Sequence, residues 1–278
     1  MRYKNLKELQ QTREILSPPG DTLQSVLDQR SLSQTDLAKR MGRHKKTINE
    51  IVNGHAPITP ETALDLERTL GIDAEFWLER ERRYQLQLAE LNEAEKLIRD
   101  KEWAKSFPLR EMKQCGFIEY DRDLVSKTRS LLSFFGVSSK EAYESYYGDI
   151  RSQYLAFRMS ENHNINPHAL TAWLRRGEIQ ADQIDVADFD HKSLKKCLPD
   201  VKHIMARQEK DFFDELQELC SECGIRVVHT PKLPKAPVNG STRWYRDKPL
   251  IQLSNRYKRN DIFWFTFFHE IGHIILHG

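Results

Sequence analysis

The chain has no apolar run of about 18 residues, the length an α-helix needs to cross a bilayer, so no membrane partner is expected. Its opening stretch, MRYKNLKELQQTRE, lacks an apolar core and the small residues of a cleavage site, so no secretory leader is expected. Four cysteines in 278 residues are too few for a disulfide scaffold, and a reducing cytoplasm is the expected location. A formal net charge of +2 names no partner by itself. Internal repeats and low-complexity tracts are missing too. What remains is a charged, surface-rich composition (30% charged, 39% hydrophobic) in a length that suits two or three domains.

Punctuation residues divide that length. Residues 1–20 are polar and close in Ser17-Pro18-Pro19-Gly20, which reads as an N-terminal tail ending in a turn. Residues 21–83 read as a compact helical bundle. Asp21 is placed to cap a helix carrying Leu23, Val26 and Leu27. Ser33 caps a second, with Leu37, Ala38 and Met41 on one face and Gly42 as a left-handed C-cap. A third runs through Ile48, Ile51 and Val52 to Asn53-Gly54. Pro60 opens a fourth, which carries Ala63, Leu64, Leu66 and Leu70 and stops at Gly71. Asp73 begins a fifth.

Residues 84–107 read as a charged, solvated connecting helix, and 108–223 as a helical, aromatic middle region. From Gly224 the pattern changes. Gly224–His229, Ser241–Tyr245 and Pro249–Ser254 read as short strands, the last two joined by a turn at Arg246-Asp247-Lys248. An apolar helix follows from Ile262 to His277. The expected fold class is mainly α: an N-terminal helix-turn-helix bundle, a helical middle, and an α+β portion over 224–278.

Two stretches carry chemistry. In SLSQTDLAKRMGRHKKTINEIVNGHAPITPETALDLERTLG, two short helices meet through a tight turn. Ile48, Ile51 and Val52 lock the second helix to a core, so Lys45, Lys46, Thr47 and Asn49 point away at the end that enters a major groove. Asn and Thr bond base edges, and Lys serves phosphate or guanine. Gln34 suits a backbone phosphate, and Arg43 a further one; His44 and Asn53 complete the expected DNA-facing set. A run such as Arg43–Lys46 is most often a solvated face. The Gly42 turn, the apolar spacing on both sides and the Asn53-Gly54 stop favour DNA.

The pieces LSQTDLAKRMG, INEIVNGHAPITPETALDLERTLG and AEFWLERERRYQL resemble the HigA-type antitoxin branch of the XRE/Cro helix-turn-helix family, across residues 19 to 88. That resemblance implies a homodimer on a palindromic operator in double-stranded DNA, and a cognate toxin or small protein as a further partner. The family usually has Ser or Thr where His44 stands, so a looser helix start is expected here.

The second stretch is FTFFHEIGHIILHG, at 265–278. On a helix His269 and His273 share a face and can reach one zinc ion, with Glu270 beside them as a base for metal-bound water. Two histidines four apart also arise by chance in amphipathic helices. A catalytic zinc needs three protein ligands. His277 lies eight residues past His269, about 12 Å along a helix, too far to share the ion. His229, Asp247 and Glu218 are candidates from elsewhere. The segment 236–278 resembles ImmA/IrrE-type metallopeptidases, as, more weakly, does the block from 108 with its WLRRGE at 173–178. The resemblance makes His269 and His273 ligands and Glu270 the base. It puts an acidic third ligand on a later helix, so Gly278 reads as a truncation point, with zinc weakly held or absent.

Smaller signals are set aside as packing. Cys220-x-x-Cys223 has no second pair, and Cys115 and Cys197 stand alone. Arg243 could meet a substrate carboxylate or be a surface strand residue. The leading expectation is a DNA-binding regulator with a C-terminal sensor. The alternatives are a zinc endopeptidase targeted by its DNA-binding domain, and an antitoxin that acts by toxin binding alone.

Overall fold

The computed structural model describes residues 6–148, 165–207, 209–254 and 260–277. The chain divides into two compact units, Met1–Arg99 with Asp123–Val125, and Asp100–Arg122 with Ser126–Gly278.

The first unit contains α1 (Leu6–Glu14), α2 (Pro19–Gln29), α3 (Gln34–Met41), α4 (Lys45–Val52), α5 (Pro60–Leu70) and α6 (Ala74–Arg99). Local chemistry sets most of these boundaries. Ser33 Oγ accepts from the Asp36 N–H at 3.1 Å and starts α3. Gly42, at φ 63°, ends it; its N–H donates to the Lys39 carbonyl, and the Arg43 N–H reaches back to Ala38 at 2.9 Å. Those two bonds are the Schellman pair, and they satisfy carbonyls that would otherwise be orphaned. The same pair ends α4, from Gly54 to Ile51 and from His55 to Glu50. Thr59 Oγ1 accepts from Thr62 N to open α5, with Pro60 in the first turn. Leu23, Leu27, Leu37, Ile48, Ile51, Leu66 and Trp77 fill one core between these helices.

Four details differ from the sequence reading. The stretch read as a tail contains α1, which buries Leu9 and ties Arg13 to Asn92 and Glu95 of α6. Of the expected turn at Ser17–Gly20, only Ser17 and Pro18 lie between helices: Pro19 and Gly20 are buried and form the first turn of α2, so Asp21 lies inside the helix and is not its cap. Leu64 was placed on the core face and is 46% exposed. Of the connecting helix read at 84–107, residues 84–99 belong to the 26-residue α6, which buries Leu91, Ala94, Leu97 and Ile98 and ends at Arg99. A polar helix can bury one side when a partner, here α1, supplies the matching surface.

The second unit contains α7 (Lys101–Lys105), α8 (Leu109–Gln114), α9 (Leu124–Phe135), α10 (140–148 in its described part), α11 (Pro167–Ala181), α12 (His191–Arg207) and α13 (Phe212–Glu222). Strands β1 (Arg226–Thr230), β2 (Gly240–Tyr245) and β3 (Lys248–Ser254) follow, then α14 (Asn260–His277). The sheet order is β1-β3-β2, with β3 parallel to β1 and antiparallel to β2. Arg246 and Asp247 both take positive φ, 47° and 57°, the two-residue loop that matches strand twist in a hairpin. Alternation along β3 separates two layers. Ile251 and Leu253 join the core with Leu194, Leu216, Phe267 and Ile271 from α12, α13 and α14. Leu250 and Gln252 face α11, where a Cβ on Gly177 would lie 2.1 Å from the Gln252 side chain.

The cysteines also differ from expectation. Cys197 does not stand alone: its Sγ lies 2.9 Å from Cys223 Sγ, and both are buried. Burial pushes the Cys197 thiol up to about 12, so it stays protonated and acts as packing.

At Gly20, α2 begins so close to the end of α4 that a Cβ would sit 2.2 Å from the carbonyl oxygens of Ile51 and Val52. Backbone cannot move aside as a flexible side chain does. Gly20→Ala is therefore expected to destabilise the first unit by about 1–3 kcal/mol, the range for overpacking. Denaturant melts followed by circular dichroism measure the loss, and an unchanged midpoint would contradict this packing.

Candidate nucleic-acid interface and candidate metal centre

Helix α4 buries Ile48 and Ile51 and turns its other side outward. His44, Lys45, Lys46, Asn49 and Asn53 are exposed, and Thr47 is half-buried. No acidic residue lies in the first turn of α4, so its N-terminal N–H groups and two lysines present positive potential together. Lys46 faces Glu50 at 3.8 Å, a screened surface pair that leaves the lysine side chain 85% exposed. Asn53 Nδ2 donates to the Asn49 carbonyl at 2.8 Å, which orients Asn53 along the helix end.

Gln34 and Arg43 sit in scaffold roles that the sequence did not show. Gln34 Nε2 donates to Gln24 Oε1 of α2 at 2.8 Å, and its Oε1 accepts a long bond from Asn49 Nδ2 at 3.4 Å. One side chain thus links α2, α3 and the outward face of α4. Arg43 was expected at a phosphate. The structure gives its Nε and Nη2 to Asp65 Oδ2 of α5 at 2.9 and 2.8 Å, with both side chains about three-quarters covered. This pair fixes the turn between α3 and α4 against α5. Gln24 and Asp65 were missed because neither carries a local motif; only the packed bundle brings them to their partners.

Helix α14 presents the His269–Glu270–x–x–His273 spacing. His269 Nε2 and His273 Nε2 lie 3.2 Å apart. Two nitrogens bound to one tetrahedral zinc at 2.0–2.1 Å stand roughly 3.3 Å apart, so this pair fits two of the four positions. A neutral imidazole donating to the other ring gives the same distance. Glu270 is buried, and its Oε2 accepts from Thr242 Oγ1 of β2 at 2.7 Å. Among the described residues, no third His, Cys, Asp or Glu forms a ligand cluster with the two imidazoles. His229 lies on β1 with its ring edge-on to Phe213, Glu218 is exposed on α13, and Asp247 is in the hairpin loop. The side chain of His277 lies outside the described residues. Arg243 is not available to a substrate carboxylate: it donates to the Leu174 carbonyl and Gln252 Oε1, with Glu178 at 3.8 Å. The two imidazoles are thus spaced for two positions of a zinc site, and the described residues bring no third ligand to them.

The supported α3–turn–α4 unit, with its cationic outward end, defines a helix-turn-helix DNA-binding domain. The helix-turn-helix family model HTH_3 matches residues 23–77. The chain is 32% identical over 72 residues, 26% of its own length and 77% of the relative, to the uncharacterized HTH-type transcriptional regulator YddM of Escherichia coli (strain K12). It is 41% identical over 73 residues to virulence-associated protein I of Dichelobacter nodosus, covering 26% of this chain and 68% of that protein. The chain belongs to the XRE-type helix-turn-helix family through this N-terminal unit. Among solved structures, an addiction module antidote protein of a HigA family from Coxiella burnetii aligns at 28% identity, over 31% of this chain and 94% of that one, with a TM-score of 0.28.

His44 occupies the N-cap of α4 and makes no side-chain capping bond. His44→Ser would supply an acceptor for the second or third N–H of α4 and is expected to raise stability by about 0.5–1 kcal/mol. A thermal melt checks it; a lower midpoint would contradict this reading of the helix start.

Proposed function

We propose that the chain is a sequence-specific transcription regulator of the HigA antitoxin type. It binds a palindromic operator in double-stranded DNA as a homodimer, with half-sites about 34 Å apart, one helical turn. The observation that carries this reading is the outward N-terminal end of α4, held on two Schellman turns, with Lys45, Lys46 and Asn49 exposed. Asn49 and Thr47 bond base edges in the major groove, while Lys45 and Lys46 take phosphate or guanine. Gln34 holds Asn49 toward the groove and is close enough to α4 to bond a phosphate. The relationship to a protein named as a transcriptional regulator supports the same role. The second unit senses a signal or engages a cognate toxin or other small protein.

A second reading rests on the imidazole pair of α14, which suits two coordination positions of zinc. His269 and His273 would hold the ion, which when bound supplies an activated water. Glu270 is the residue type that takes a proton from such water, but here it is engaged by Thr242. With no third ligand among the described residues, no hydrolytic step is assigned.

Two measurements test these readings. Mobility shift on the region upstream of its own gene is expected to show a specific complex. Lys46→Ala/Asn49→Ala is expected to weaken it by at least about tenfold, since one good base contact contributes roughly 1–3 kcal/mol. A double variant that binds like wild type would exclude α4 as the reading helix. Zinc content after dialysis is expected to be well below one ion per chain. One tightly held ion per chain, absent from His269→Ala, would show a completed site and favour the enzyme.

A further inference from the structure

Helix α12 is held in the second unit by Leu194, Cys197, Val201 and Ile204, all buried. Its opposite side carries Lys192, Lys195, Lys196, Lys202 and His203, all exposed. The spacing i, i+3, i+4, i+10, i+11 lines them along one face, about 16 Å from end to end. Asp200, at the border of that face, is the only carboxylate within the helix.

Several cations elsewhere in the chain sit beside carboxylates. Arg82 and Arg83 share Glu79, Arg99 faces Glu95, Lys105 faces Glu102, and Lys248 faces Asp188. On α12 that neutralisation is confined to Arg207, which pairs with Glu215. Among the described residues, none of the four lysines has a carboxylate within ion-pair distance. Asp190, just before the helix, is bound by Ser193 and attracts Lys192 only at longer range.

We propose that this face of α12 is a second DNA-contact surface, one that grips the phosphate backbone without reading sequence. The proposal rests on the reading of the chain as a DNA-binding protein, which makes duplex DNA the polyanion this stripe complements. Duplex DNA carries one negative charge per about 1.7 Å of axis, so a 16 Å row of ammonium groups meets several phosphates. Flexible lysines serve as point charges toward phosphate oxygens, which suits backbone binding and supplies no base recognition.

The test uses the full chain and a short duplex of arbitrary sequence, with binding followed by anisotropy across a salt series. In Lys192→Gln/Lys195→Gln/Lys196→Gln/Lys202→Gln, affinity at low salt is expected to fall by about tenfold or more. The slope of log K against log salt should flatten by about 0.9 for each phosphate that is no longer neutralised. The same four positions changed to Arg should bind like wild type. Each single Lys→Gln variant, safer for folding, should take up to about 0.9 from the slope. If the Gln and wild-type curves coincide, or if wild type binds phosphatidylserine vesicles and not duplex DNA, the proposal is overturned. The two readings separate cleanly. Lys46→Ala/Asn49→Ala should lose operator preference yet keep the α12-dependent, salt-sensitive binding. Loss of arbitrary-duplex binding only in the α12 variants, with operator preference indifferent to Lys46 and Asn49, would remove the α4 reading and leave this one standing.

Discussion

The first unit depends on the turn between α3 and α4. Two backbone bonds through Gly42 and Arg43 fix the chain reversal, and the Arg43 side chain then fastens that reversal to Asp65. Without this corner, the apolar face of α4 would have no fixed angle to the core, and its outward residues no fixed aim. The turn contributes little hydrophobic energy itself. Its effect is geometric: Ile48 and Ile51 enter the core shared by Leu23, Leu37 and Trp77 only because the helix arrives in one orientation. Gly20 closes the arrangement from the other side, letting α2 touch the last carbonyls of α4.

In the second unit the corresponding constraint is the central strand β3. Its two faces carry different chemistry. Ile251 and Leu253 face an apolar core, while Gln252, fully buried, is satisfied by Arg243 at its oxygen and by the Trp173 carbonyl and Thr230 at its nitrogen. A buried amide with all its main groups bonded adds specificity that a purely apolar face lacks. Gly177 admits α11 close enough for that network to form. The sheet in turn positions α14, where Thr242 draws Glu270 inward while the imidazoles of the same helix meet each other at 3.2 Å.

Charge is distributed unevenly between these features. Several surface cations pair with a carboxylate three or four residues away, among them Arg68, Arg82, Arg83, Arg99 and Lys105, an arrangement that stabilises a helix slightly and leaves little net field. Two faces carry cations outside this pattern, the outer side of α12 and, at Lys45 though not at Lys46, the start of α4. Both lie opposite apolar stripes that bind their helices to a core, so the same amphipathic pattern that folds each helix also leaves its cations outward.

Boundaries set by neighbours in sequence were legible from the sequence alone. Ser33, Gly42, Pro60 and Gly71 cap or open helices through their own chain neighbourhood, and the short strand run of 249–254 is likewise local. The outward set at Lys45, Lys46 and Asn49 follows from the same periodicity, since burying Ile48 and Ile51 leaves those positions outside. Tertiary structure alone decided that residues 6–14 are a helix docked on α6, that Leu64 faces water, and that Cys197 meets Cys223 across 26 residues. It also decided that Arg43 belongs to Asp65, that Glu270 belongs to Thr242, and that no third ligand among the described residues joins the histidine pair. The physical reason is range: caps, turns and amphipathic faces are fixed by neighbours a few bonds away, whereas the partner of a side chain is fixed only when distant segments pack.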